Sequence, residues 1–442
     1  MLVKSSYLIT LDPEKPFFEN PGLLILDDRI AEIGSADKME AKHPKEEVLD
    51  LTGKCVLPGM VNIHTHFYGA FARGISLAGK PPVLFSQILE RLWWKLDKAL
   101  DEKSIRHSAA ISLVDGIRSG VTAYFDHHAS PNCVEESLDL IADETETAGV
   151  RACLCYETSD RDGDKIARAG IRENTRFIKK CGKKNERLAG LFGLHAALTL
   201  SDETLARAVK AGSESGCGFH IHVAEGIEDV DESLSRYGKR VVERLSKNGI
   251  LTGNSIFAHC IHLNDEEKRM LSKAGCTVAH NPESNLNNAV GFADVLDLLK
   301  HGVHVGLGTD GFSQGLWHSL RAASLMPRYL KRDPRVFYGE IFNLLFENSR
   351  KASQVFGIPL GILKKGAAAD LIAIPYCPPT DFNAGNLYGH LFFGLMERAV
   401  SDVICGGRLL LKNGELLTLD EHCIMESARK ACPAVWKKYK GN

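Results

Sequence analysis

Five short apolar runs in this chain each end on residues able to bind a metal or move a proton. Met60 to Ile63 leads into His64-Thr65-His66, Gly218 to Phe219 into His220-Ile221-His222 with Glu225, and Ser255 to Ala258 into His259. Thr277 to Ala279 leads into His280-Asn281-Pro282, and Val303 to Leu307 into Thr309-Asp310-Gly311. In a (β/α)8 barrel the C-terminal ends of the parallel strands converge on one face, and reacting groups collect there. Packing alone gives no reason for five such endings. The pattern predicts an α/β barrel whose strand ends carry a metal-dependent hydrolytic site.

A length of 442 residues accommodates a ~250-residue barrel and a second unit. Residues 1 to 57 read as short β-hairpins, with Asp27-Asp28 as one hairpin turn, until Pro58-Gly59 breaks the pattern. Strand-like runs then follow at 60–66, 121–126, 151–157, 188–196, 218–223, 255–259, 276–280 and 303–309, alternating with amphipathic helical stretches. Eight strands separated by helices predict a closed parallel (TIM) barrel. After Gly357 the chain returns to β, then ends in a helical region from Asp420 to Lys438 that Pro433 should kink or interrupt. The domain reading is a barrel over 58–357 beside a composite β-sandwich with a C-terminal helix, made from 1–57 and 358–442.

Hydrophobic content of 44% and charged content of 25% are those of a soluble globular protein. A net charge of −2 leaves no basic excess for nucleic acid. Met1 to Lys15 lacks the basic start and long apolar core of a signal peptide, and no run approaches the ~18 apolar residues of a membrane span. The twelve cysteines are scattered without a Cys-x-x-Cys pair, and Cys153 and Cys155 read as buried small hydrophobes. These features predict a cytoplasmic protein.

His64 and His66 are two apart, so on a strand they share a face and can bind one ion. Alone, such a pair is as consistent with core histidines as with ligands. His220 and His222 repeat the spacing on the fifth strand. Glu225 lies three residues on, in the loop above, where a carboxylate suits proton transfer better than coordination. Asp310 ends the eighth strand in a turn between Gly308 and Gly311. A carboxylate completing a histidine set suits Zn²⁺ or Fe²⁺ better than Ca²⁺ or a thiolate cluster. No lysine ends the fourth strand candidate, which leaves no bridging ligand for a second metal.

These pieces resemble the amidohydrolase superfamily, specifically its mononuclear aminohydrolases and chlorohydrolases of heteroaromatic rings, and most nearly the SsnA-type aminohydrolases. The matching stretches are Pro58-Gly59 through His64-Thr65-His66, Gly120-Val121-Thr122, His220 to Glu225, His259, His280 to Asn285 and Gly308 to Gly311. The tail from Gly361 to Leu371 and Val403 to Gly407 also match. The resemblance implies His64, His66, His222 and Asp310 as ligands of one divalent ion, zinc ahead of iron. It implies Glu225 as proton shuttle and His259 as the group polarising the attacked bond, and on that chemistry Asp310 is expected to aim the attacking water. His280 would lie beside the metal as one of the substrate-binding residues, and a dimer or other homo-oligomer is expected. His220 reads as a barrel-core histidine one layer deeper than His222.

On the substrate side, His195 matches a substrate-binding histidine of adenosine and S-adenosylhomocysteine deaminases. Those enzymes tend to read Pro-His-Ala-Pro-Tyr, where this chain has Leu194-His195-Ala196-Ala197-Leu198. They also carry a Glu and a Trp in the region that here runs from Leu84 to Ile88. Asp126-His127-His128 resembles 8-oxoguanine-deaminase-like members, so His127 and His128 are either substrate contacts or solvated loop residues. Trp317-His318 is either a lid or a packed aromatic. The expected reaction is hydrolytic loss of an exocyclic amine from a small N-heteroaromatic ring of purine or pterin type, releasing ammonia. Without the Glu–Trp pair, a free base is expected over its nucleoside. Dechlorination or amide hydrolysis by the same groups is the alternative, and a scaffold that has lost its chemistry is disfavoured because all four ligands and Glu225 are present.

Overall fold

The computed structural model describes residues 1–77, 79–182 and 185–442. Its barrel strands are β1 (Met60–Thr65), β2 (Val121–His128), β3 (Arg151–Tyr156), β4 (Leu188–Gly190 and Phe192–Ala196), β5 (Phe219–Val223), β6 (Ile256–His259), β7 (Thr277–His280) and β8 (His304–Leu307). All eight predicted strands form within two residues of their expected limits. β2 and β3 are buried along their whole length, as strands covered on both faces must be, and this is why they read as continuous apolar runs.

Pairing is parallel throughout. β1, β2, β3 and the first piece of β4 form one arc, and the second piece of β4 with β5 to β8 forms the other. Parallel bridges Thr158–Leu194 and Thr65–Asp310 link the arcs. The join at β3 and β4 depends on Gly193, where a Cβ would stand 2.2 Å from the Tyr156 carbonyl oxygen. Capping boxes start the helices Glu102–Arg118 (Asp101 with Ser104) and Asp265–Ala274 (Asn264 with Glu267).

The chain's two ends meet in one nine-stranded sheet. Val48–Pro58 pairs parallel with Leu2–Ile9 and antiparallel with Leu371–Pro375, which sews the N-terminal and C-terminal segments together. Asp27 takes the left-handed conformation, φ 53°, in the hairpin turn where Leu26 pairs with Arg29. The terminal helix Glu421–Gly441 runs on through Pro433, so of the two expected effects, a kink or an interruption, the interruption does not occur. Its far end is held where Trp436 Nε1 donates to the Phe71 carbonyl and the Tyr439 hydroxyl to the Arg91 carbonyl. Among the described residues no helix is long and apolar enough to cross a membrane.

Candidate active site

The alternation of β1 turns His64 and His66 to the barrel interior together. Asp310 Oδ1 lies 3.3 Å from His64 Nε2 and 2.8 Å from His66 Nε2, and His66 Nε2 lies 3.2 Å from His222 Nε2. Each histidine is oriented by its other nitrogen. His66 Nδ1 donates to the His127 carbonyl at 2.6 Å, and His222 Nδ1 to the His195 carbonyl at 2.7 Å. With Nδ1 carrying a hydrogen, each Nε2 is left facing the cluster, where a bound cation would take its lone pair. His64 Nε2 is buried without a hydrogen-bond partner, while His64 Nδ1 lies 2.9 Å from His220 Nε2. His220 is thus a core histidine that also orients a cluster histidine.

Asp310 enters from a residue in the left-handed region, φ 57°, and its second oxygen accepts from the Ser284 hydroxyl. Gly308 must be glycine, because a Cβ there would come within 2.4 Å of Asn281 Oδ1. Among the described residues three groupings place their ligand atoms within 4.8 Å of one another: His64, His66, His127 and His222; His64, His222, His259 and Asp310; and Glu157, His195 and His222. This donor set fits a borderline divalent ion such as zinc or iron.

Glu225 stands in the loop after β5 with Oε2 3.4 Å from His259 Nε2. His259 is fixed in turn by Nδ1, 2.7 Å from Asn285 Oδ1. Burial, reinforced by the charge of Asp310, pushes the Glu225 carboxyl well above the usual carboxylate range. Burial also lowers His259 to about 4. Against burial, His64 and His66 hold Asp310 well below the carboxylate range. The two carboxyls therefore differ in character, one suited to carrying a proton and one to staying charged.

A cleft of about 670 Å³ opens over this cluster, with His66, His195, His222, Glu225 and Asp310 in its wall. The Thr199 hydroxyl gives its proton to the Ala196 carbonyl at 3.0 Å, so it accepts from His195 Nδ1 at 2.8 Å. His195 Nε2 then faces the cleft as a lone pair. His127, His128 and His280 stand behind this wall. β2 continues through His128, so 127 and 128 point to opposite faces. His127 turns inward to stack on His220 with ring centroids 4.6 Å apart, and His128 turns away to Ser130 at 2.9 Å. His280 packs edge-on against Phe292.

The sequence model of the amidohydrolase family matches residues 55–410. The chain belongs to the amidohydrolase family. This amidohydrolase is 29% identical over 437 residues to the 5'-deoxyadenosine deaminase of Methanosarcina mazei, covering 98% of this chain and 97% of that protein. It is 30% identical over 427 residues to the 5'-deoxyadenosine deaminase of Methanopyrus kandleri, covering 95% and 96%. It is 29% identical over 433 residues to the 5-methylthioadenosine/S-adenosylhomocysteine deaminase of Bacillus cytotoxicus, covering 96% and 97%. Its fold matches a zinc-bound adenosine deaminase from Xanthomonas campestris with a TM-score of 0.87 at 19% identity, covering 99% and 98% of the two chains. It also matches a zinc complex of atrazine chlorohydrolase from Arthrobacter aurescens, with a TM-score of 0.82 at 21% identity, covering 98% and 100%.

Four further residues of the amidohydrolase cleft, Trp94, Asp97, Glu157 and Arg161, were not singled out from the sequence. Arg161 donates to Asp97 Oδ2 at 2.7 Å and lies 5.1 Å over the Trp94 ring. Glu157 follows the last residue of β3, the same strand-end position that marked the histidines. Trp94 and Asp97 come from the short helix Trp94–Ala99 between β1 and β2, where no spacing rule marks a functional side chain.

Proposed function

We propose that the chain is a metal-dependent aminohydrolase that removes an exocyclic amine from a purine-type heteroaromatic ring and releases ammonia. The observation that carries this reading is the convergence of three histidine Nε2 atoms and the Asp310 carboxylate beside a second carboxyl, Glu225, kept protonatable by burial. His64, His66, His222 and Asp310 would hold one divalent ion, zinc in preference to iron. When bound, such an ion supplies Lewis-acid activation of water, bringing its pKa towards ~7.

The chain's own groups do the rest. Asp310 accepts a hydrogen bond from the attacking water and aims it at the ring carbon that bears the amine. Glu225 passes a proton to the adjacent ring nitrogen, so aromaticity breaks as attack occurs. His259, clamped by Asn285, stabilises the charge that develops at the reacting centre. Collapse of the tetrahedral carbon passes the remaining proton of the attacking water to the amine, breaks the C–N bond, expels ammonia and leaves a ring carbonyl. His195 contacts the substrate directly, while His127, His128 and His280 support the wall behind it. The same reading makes this a cytoplasmic homo-oligomer, with 58–357 as the catalytic unit beside the composite unit of 1–57 and 358–442.

The test is ammonia release from a panel of amino-purines, pterins, pyrimidines and triazines by zinc-loaded protein. Ammonia from a purine-type ring is expected, and chloride from a chlorinated triazine with no ammonia from any ring would overturn the reading. Glu225→Gln should keep its metal and lose turnover by roughly 10²-fold or more, the scale of a positioned acid/base. Loss of metal in that variant would make Glu225 a ligand instead.

A further inference from the structure

Glu157 is a buried carboxylate, 3% exposed, in the wall of the cleft, and the mechanism above gives it no task. Its Oε1 lies 3.1 Å from His66 Nδ1 and 3.4 Å from His127 Nδ1. Neither ring has a hydrogen to spare for it. His66 Nδ1 already donates to the His127 carbonyl at 2.6 Å, and His127 donates through Nε2 to the His220 carbonyl at 3.1 Å. Oε1 accordingly has no hydrogen-bond partner. Oε2 stands 3.8 Å from His195 Nε2, which presents a lone pair, and it accepts no hydrogen bond among the described residues. Arg161, in the same wall, holds Asp97 at 2.7 Å and Ser159 at 3.2 Å, and its unpartnered Nη1 makes no hydrogen bond to Glu157. A carboxylate buried with no donor aimed at it is costly unless a ligand brings the donor.

We propose that Glu157 is a specificity-determining substrate contact that selects rings carrying an N–H donor in addition to the amine that leaves. This rests on the aminohydrolase reading given above. Oε1 touches the ring of His66, whose far nitrogen belongs to the reacting cluster, so the donor that meets Glu157 belongs to the heterocycle and not to a distant substituent. An N9-substituted adenine fails this requirement. With its amine at the reacting carbon, its remaining nitrogens N3 and N7 are lone pairs that would face the carboxylate. A ring in which one of those edges is a lactam N–H instead gives Glu157 its hydrogen bond. Sites built to hydrogen-bond a substrate N–H or O–H reject the analogue lacking it by large factors, because the buried group is left unpaired.

The experiment compares adenosine with the riboside of 8-oxoadenine, whose lactam N–H is N7, and with that of isoguanine, whose lactam hydrogen is shared between N1 and N3; both keep the same amine on the same carbon. Wild type and Glu157→Gln, each loaded with zinc and checked for metal content, are assayed for ammonia release and, by calorimetry, for binding. Wild type should favour at least one lactam ring over adenosine by about 10²-fold or more in kcat/KM and in Kd. Glu157→Gln should bring that ratio below about tenfold with zinc content unchanged, since its amide NH2 can instead donate to a bare ring nitrogen. Glu157→Ala, which can neither accept nor donate, should also lose the preference. Adenosine equal to both lactam rings in wild type would overturn the proposal. So would an equal fall on all three rings in the variants, which is what a role confined to His66 would give. If wild type releases ammonia from none of them, the aminohydrolase reading is decided by the wider panel of free heterocycles, while the calorimetric ratios still decide for or against Glu157.

Discussion

The two ends of β3 carry opposite charges in opposite circumstances. Arg151 opens the strand, 1% exposed, and all of its charge is answered. Nε and Nη2 donate to the two oxygens of Asp370 at 2.8 and 3.1 Å, and Nη1 donates to the Glu186 carbonyl at 2.5 Å. Asp370 also accepts from the Gly406 amide at 2.7 Å, so the pair ties the foot of the barrel to the flanking sheet. Glu157, just past the other end of the same strand, has histidines around it and no hydrogen bond of its own. Burial is nearly equal at the two sites and saturation is not. A buried charge whose partners are complete belongs to the architecture, whereas one left incomplete at the open end of a barrel is waiting for a ligand.

The strongest way to sharpen that contrast is to remove a group from the open end. His66→Ala should abolish tight metal binding and turnover. Stability of the metal-free protein should change by no more than about 1 kcal/mol, because the lower halves of the strands hold the core. Metal analysis, an ammonia assay and urea unfolding after chelation measure the three quantities. A full equivalent of metal with normal turnover would show that His66 is not a ligand.

The opposite end should behave in reverse. Asp370→Ala strands Arg151 as an uncompensated buried charge, a change that costs about 3–5 kcal/mol. Urea unfolding should show that loss, while kcat per folded molecule and zinc content stay as in wild type. Lost turnover at unchanged stability would break the comparison, since a saturated pair would then be serving the chemistry.

The architecture was legible in the apolar runs, which located all eight strands within two residues. The period of two along a strand put His64 with His66, whereas His222 and Asp310 joined them through the resemblance to the amidohydrolase superfamily, since Asp310 lies past its strand in a left-handed residue that no periodicity places. The same rule separates His127 from His128 once the strand runs on through both, whereas an apolar run that ends at Asp126 leaves the pair together in a loop. Chain connections hid the rest. Trp94 and Asp97 reach the cleft from a short helix after β1, and Arg161 from the turn after β3. Only tertiary packing brings those three together, so nothing in their spacing could announce them. His220 shows a subtler limit. Its depth in the barrel was readable, but its 2.9 Å contact with His64 Nδ1 depends on side-chain direction across two strands that are not neighbours.

The smallest predicted effect concerns the site that lies between the two extremes. Asp97 and Arg161 are joined at 2.7 Å, yet Asp97 Oδ1 and Arg161 Nη1 each remain without a partner. Leu84 to Ile88 has no Glu–Trp pair to grip a ribose. The acid and indole that do stand in the wall, Asp97 and Trp94, are both engaged by Arg161. A free base should therefore be used about tenfold better than its riboside in kcat/KM, the equivalent of one modest contact, about 1.4 kcal/mol. His195→Ala should weaken the preferred base without removing the metal. Ribosides used equally well or better would sink the idea, and would point to the two unanswered atoms of the Asp97–Arg161 pair as the sugar's partners. Asp97→Asn would then cut kcat/KM for the riboside alone, moving that pair from the architectural side of the comparison to the chemical one.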